Sequence, residues 1–143
     1  MSDESFMFHV EHPQFELEQQ KSVRDWLHSI AEQENCSINQ IQYIFLTDEE
    51  VLEINRNYLD HDYFTDIITF PLNDEDEDIE AEIYISIDRV RENAKDYEAP
   101  QKEELLRVMA HGLLHLCGYN DASDEERKKM RAREDECLAL YPH

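Results

Sequence analysis

Apolar residues in this chain recur at two spacings, and the alternation between them outlines the elements. From Phe15 to about Glu34, Leu17, Val23, Trp26, Leu27, Ile30 and Ala31 return every three or four residues, which predicts an amphipathic helix. Ile41 to Leu46 (IQYIFL) is β-branched and aromatic, the composition of a buried strand, and FMFHV near the start predicts a short edge strand. Thr47-Asp-Glu-Glu50 has the form of a capping box and opens a helix running to about Tyr58. Asp66 to Phe70 and Glu82 to Ser86 read as two more strands, joined by the acidic run NDEDEDIEA, a solvated connection. Helices follow over Asp88 to Asp96 and Pro100 to Cys117, with Pro100 suited to a first turn. A second capping box, Ser123 to Glu126, begins a last helix that reaches about Leu140. Strands interleaved with helices, then three consecutive helices, predict an α+β fold: a small mixed four-stranded sheet packed with about five helices, in one domain over residues 1–143.

Composition narrows the class. Hydrophobic residues at 41% are enough for a folded core despite the heavy charge. No run approaches the ~18 apolar residues of a membrane span, and the start lacks the basic-then-apolar order of a secretory signal, so a cytoplasmic protein without membrane contact is expected. Cys36, Cys117 and Cys137 are odd in number and scattered, which predicts buried or idle thiols rather than a disulfide framework or a zinc ribbon. Thirty-five acids against 13 bases give a net charge of −22, unfavourable for a polyanionic partner. The excess is uneven: residues 1–86 hold 22 acids and three bases, residues 87–143 hold 13 acids and ten bases.

Candidate chemistry gathers in HGLLHLCGYND, residues 111–121, which contains the only two glycines of the chain. His111 and His115 are four apart, and on a helix their β-carbons lie ~5–6 Å from one another, close enough for both imidazoles to reach one metal ion. Gly118 supplies the left-handed residue that commonly ends a helix, and the turn brings Asp121 toward the same ion. Gly112 costs ~1 kcal/mol of helix propensity relative to Ala, which is expected to clear space for a strand or substrate beside the metal. A zinc peptidase of the HExxH type needs a glutamate where this chain has Gly112, which disfavours peptidase chemistry.

The same stretch resembles the HGxLHLxGYDH signature of the YbeY family of bacterial endoribonucleases and rRNA maturation factors. The family's LNxxYRxxDxPTDVLSFP is echoed by INRNYLDHDYFTDIITFP, residues 54–71, and its GDIxIS by AEIYIS, residues 81–86. Order and spacing agree across about Leu46 to Leu140. The resemblance implies a metal-dependent endoribonuclease specific for single-stranded RNA, with roles in 16S rRNA 3′-end maturation and ribosome quality control. It also implies one Zn2+ or similar divalent transition metal per chain, held at His111, His115 and Asp121. Small-subunit ribosomal proteins are further expected partners. Three positions depart from the pattern: Asp121 stands for a histidine, Leu59 for an arginine, and Ala81-Glu82 for Gly-Asp. A carboxylate beside two histidines still makes a metal site, with a weaker pull on bound water.

Substrate contact is expected from the basic segment ERKKMRAR, residues 126–133, through Lys128 and Arg131, and from Arg56, one helical turn before Leu59. The alternative for that segment is a helix surface whose bases pair with Glu125, Glu126, Glu134 and Asp135. A different class of function also fits: a non-catalytic, metal-stabilised ribosome-assembly factor whose acidic first part docks a basic ribosomal protein.

Overall fold

The computed structural model describes residues 5–142, which form β1 (Phe6–Val10), α1 (Gln20–Gln33), β2 (Ile38–Leu46), α2 (Asp48–Leu59), β3 (Ile67–Pro71), β4 (Ile79–Ser86), α3 (Ile87–Asp96), α4 (Gln101–Leu116) and α5 (Asp124–Leu140). The sheet order is β1-β2-β4-β3, with β1, β2 and β4 parallel and β3 antiparallel to β4. This is the mixed four-stranded sheet with five helices that the hydrophobic pattern predicts, with FMFHV on the edge.

Strand periodicity divides the core in two. Ile41, Tyr43 and Phe45 of β2 and Ala81, Ile83 and Ile85 of β4 point to the face covered by α1, α3, α4 and α5. Leu46 and Ile68 join Val51 of α2 in a smaller cluster that also takes in Ile44, Phe70 and Tyr84. Polar atoms that enter the larger core are paired: the Tyr43 hydroxyl donates to the Met109 carbonyl at 2.9 Å, and the Trp26 indole donates to the Cys137 carbonyl at 2.7 Å. Burial of the Tyr43 phenol pushes its pKa far above the usual value, so it stays a neutral donor. At the top of the sheet, Asp88 accepts from His12 Nε2 (3.0 Å) and from the Asp48 amide (2.9 Å), while Asp48 accepts from Arg89 (2.8 Å), which joins the starts of α2 and α3 to the segment after β1.

Both capping boxes form, at Thr47–Glu50 and Ser123–Glu126. The acidic connection is solvent-exposed over residues 74–78, and β4 begins at Ile79, inside the run assigned to the loop. Helix α1 starts later than its spacing predicts. Half-buried Phe15 and Leu17 alternate with exposed Glu16 and Glu18, the period of an extended chain, and Gln19 is left-handed (φ 55°) before the helix begins. Leu17 satisfies both periods, so spacing alone carried the helix too far back. The cysteines also correct an expectation. Cys36 and Cys117 lie side by side with Cα atoms 6.1 Å apart, because the ends of α1 and α4 meet there, and Cys137 is a buried free thiol.

The space beside Gly112 belongs to the sheet. A Cβ at this position meets Ile67 Cδ1 at 3.0 Å and Ile83 Cδ1 at 3.1 Å, so α4 lies close against β3 and β4, a side chain here has to push both isoleucine ends aside, and the clearance serves the strands rather than a metal or substrate. Gly118 takes φ +109°, the role expected of it at the end of α4. Because a branched side chain has to displace both isoleucines, Gly112→Val is expected to lower stability by about 1–3 kcal/mol, measured by urea denaturation.

Candidate active site

Helix α4 buries Leu105, Val108, Met109, Leu113 and Leu114, so little of its last two turns faces outward. His111 is partly buried and His115, one turn on, is exposed. Each imidazole turns Nδ1 to an acceptor: His111 to the Glu134 carboxylate at 2.7 Å, His115 to the Tyr119 carbonyl at 3.1 Å. A carbonyl only accepts, so Nδ1 of His115 carries the proton and Nε2 is the lone-pair atom of its neutral ring. His111 Nε2 lies 3.4 Å from Asp121 Oδ2. Among the described residues, no group of three or more His, Cys, Asp or Glu side chains converges tightly enough to hold a metal ion as it stands.

Glu134 organises the back of the site. It is buried on α5 and accepts from Arg107 at 3.1 Å as well as from His111, while Arg107 also donates to Asp135 at 2.6 Å. Burial pulls the His111 pKa down, but the Glu134 hydrogen bond and the charges of Glu134, Asp121 and Asp66 outweigh it and hold the imidazole above its usual value. Burial raises the Asp66 carboxyl, with partial opposition from His111. These groups line a cleft of about 780 Å3 bounded by the α2–β3 loop, β3, the end of α3, α4 and α5.

His111, His115, Asp121 and Arg131 all line this cleft, whereas Arg56 and Lys128 do not. Arg56 is engaged with Asp62, and Lys128 is exposed on α5. The basic segment presents no single cationic face. Arg133 turns to Glu34 (3.1 Å) and Gln33 (3.0 Å) of α1, and Arg127 pairs with Asp124 and donates to the Asp121 and Ala122 carbonyls at 3.3 and 3.2 Å. The Asp121 turn is further held by the Tyr119 hydroxyl, which donates to Glu34 at 2.7 Å.

Of the two readings of the basic segment, pairing with neighbouring acids put Glu134 on the helix surface, whereas the fold buries it. The signal against that was present: Glu134 shares one helical stripe with Met130, Cys137 and Tyr141, all buried, and a carboxylate on an apolar stripe requires a cationic or N–H partner. Asp66, Arg107 and Tyr97, also on the cleft, carried no comparable mark.

The family model described as Endoribonuclease YbeY matches residues 7–141. The chain is similar to the protein named Endoribonuclease YbeY of Cytophaga hutchinsonii, 49% identical over 140 residues that make up 98% of each chain. It is 48% identical over 137 residues to the protein of the same name from Flavobacterium psychrophilum, covering 96% of this chain and 95% of that one. Among solved structures, the solution structure of TM1509 from Thermotoga maritima is similar with a TM-score of 0.65 and 28% identity, over 94% of this chain and 89% of that one.

Removing one member of a buried charge pair leaves the other uncompensated. Glu134→Ala, which removes the buried partner shared by Arg107 and His111 and leaves Arg107 only Asp135, is expected to cost about 3 kcal/mol in urea denaturation. Glu134→Gln keeps an acceptor and is expected to cost less.

Proposed function

The chain belongs to the YbeY family of endoribonucleases, hydrolases that act on RNA, and we propose that its cleft cleaves single-stranded RNA with one divalent metal ion held by His111, His115 and Asp121. Zinc or a similar transition metal suits two imidazoles and a carboxylate. Precursor rRNA of the small subunit is the proposed substrate, cut in maturation of the 16S 3′ end and in ribosome quality control. The site of action is the cytoplasm; no helix among the described residues is long and apolar enough to cross a membrane. Small-subunit ribosomal proteins, which are basic, are complementary in charge to the acidic first part of this chain.

One observation carries the metal assignment: both α4 histidines are anchored through Nδ1, to Glu134 and to the Tyr119 carbonyl, and His111 Nε2 faces the Asp121 carboxylate at 3.4 Å. Anchored rings of this kind are the usual support of metal-ligating histidines. When bound, a divalent ion there supplies Lewis acidity toward a phosphoryl oxygen and toward water. The chain's own groups do the rest. Glu134 fixes the His111 ring by accepting a hydrogen bond from Nδ1, and Arg107 donates to the other oxygen of the same carboxylate and holds it in place. Arg131 places a guanidinium on the cleft for a phosphate. The endoribonuclease family favours this reading over a non-catalytic assembly factor.

Protein purified without chelator is expected to carry about one divalent ion per chain by elemental analysis, and His115→Ala to lose it. Equal metal in both rejects the ligand set. Asp121→His, which restores the imidazole of the family motif, should bind metal as well as or better than the parent, while Asp121→Ala should bind it less tightly; competition with a chromogenic chelator measures both. Cleavage of single-stranded RNA should stop on metal removal and return on readdition, and an unaffected rate rejects the metal-dependent mechanism.

A further inference from the structure

Exposed aromatic surface collects around the cleft. Tyr58, Leu59, Tyr63 and Phe64 are exposed at the end of α2 and in the loop after it, with Tyr63 at 56%, and Tyr97, which caps α3, is 63% exposed. Leu59, Tyr63 and Tyr97 line the same cleft as His111 and His115. Single apolar residues on a surface need no explanation, but a group gathered at a reactive cleft does. The rings are also positioned. Buried Asn55 donates to the Tyr63 carbonyl at 2.9 Å, the Tyr63 ring stacks on His61 with centroids 5.2 Å apart and planes at 21°, and the Arg131 guanidinium lies over Tyr97 at 5.7 Å from its centroid.

Charge makes these rings important. The net charge is −22, and the arginines of the cleft already face carboxylates: Arg127 faces Asp124, Arg107 faces Glu134 and Asp135, and Arg131 approaches Glu134 at 3.9 Å. Phosphate contacts alone are therefore a weak source of affinity for a polyanion. A single strand offers another surface, the faces of its bases. Stacking on an aromatic ring needs no net charge and is open only to a base that is not already stacked in a duplex.

We infer that Tyr63, backed by His61, and Tyr97, under Arg131, are base-stacking platforms that hold single-stranded RNA beside the histidine pair, selecting it by unpaired base faces more than by phosphate charge. The inference rests on the reading of the cleft as an RNA site. Leu59 agrees with it, since it puts apolar surface on the same cleft as Tyr63 where the family motif has an arginine.

The test measures binding by the full chain with chelator present, so that affinity is read apart from cleavage. The probe is a short single-stranded RNA carrying 2-aminopurine, whose fluorescence falls on stacking. Tyr63→Leu and Tyr97→Leu should each weaken binding by about tenfold, reduce the quenching, and leave the slope of log Kd against log salt unchanged. Tyr63→Phe and Tyr97→Phe keep the ring and should bind as the parent does. An abasic strand should bind the parent and the double leucine variant equally. Unaltered affinity in both leucine variants, or the same loss with the abasic strand, overturns the proposal. Quenching by a protein that never cleaves the strand after metal is restored supports the platforms and refutes the nuclease reading. Cleavage without quenching overturns the platforms alone.

Discussion

The close contact between α4 and the sheet governs the rest of this structure. With hydrogen in place of a side chain at Gly112, the helix backbone rests against Ile67 and Ile83, and Leu113, Leu114 and Met109 are fully buried around that contact. A helix so seated has no freedom to rotate or slide, because interiors packed at crystal-like density resist shifts of even a methyl group. Its two histidines therefore inherit fixed positions from the core, and the cleft is built against a wall that does not move.

That rigidity also explains how the fold tolerates a buried carboxylate. Taking a carboxylate out of water costs several kcal/mol, and buried ion pairs are often no more stable than apolar equivalents of similar volume. Its advantage is orientation. Glu134 holds a guanidinium on one side and an imidazole on the other, so one residue of α5 fixes the register of that helix against α4 and the direction of a ring at the cleft. The Asp66 carboxyl, just before β3 and raised by burial, adds a further acidic group to a cleft in an already acidic protein.

Local signals in the sequence were readable and long-range pairings were not. The capping boxes at Thr47 and Ser123 and the turn at Gly118 each involve residues within a few positions of one another, and each formed as expected. That His111, His115 and Asp121 come to line one cleft followed from local spacing, since all three lie within one helix and its turn. Failures came where a partner is distant in the chain or one residue serves two periods. Leu17 fits both a helix and an extended segment, and only packing against the core decides between them. Cys36 meets Cys117 across 81 residues, a proximity that spacing cannot reveal. The basic run on α5 was scattered by partners on α1 and in the Asp121 turn, which the composition of the run does not predict. Glu134 lies between these cases: its place on an apolar stripe was visible, while the identity of its partners required the fold.

The anchoring of Tyr119 has a genetic side. The turn that carries Asp121 is moored to Glu34 at the end of α1, and Arg133 grips the same carboxylate from α5. Helix α1 contributes nothing to the lining of the cleft. Yet a lesion at Glu34 releases the mooring of the turn, so the map of harmful alleles extends to a helix with no view of the substrate. Compensating changes belong at Tyr119 and Arg133, and heredity would link three sites that the primary sequence keeps far apart.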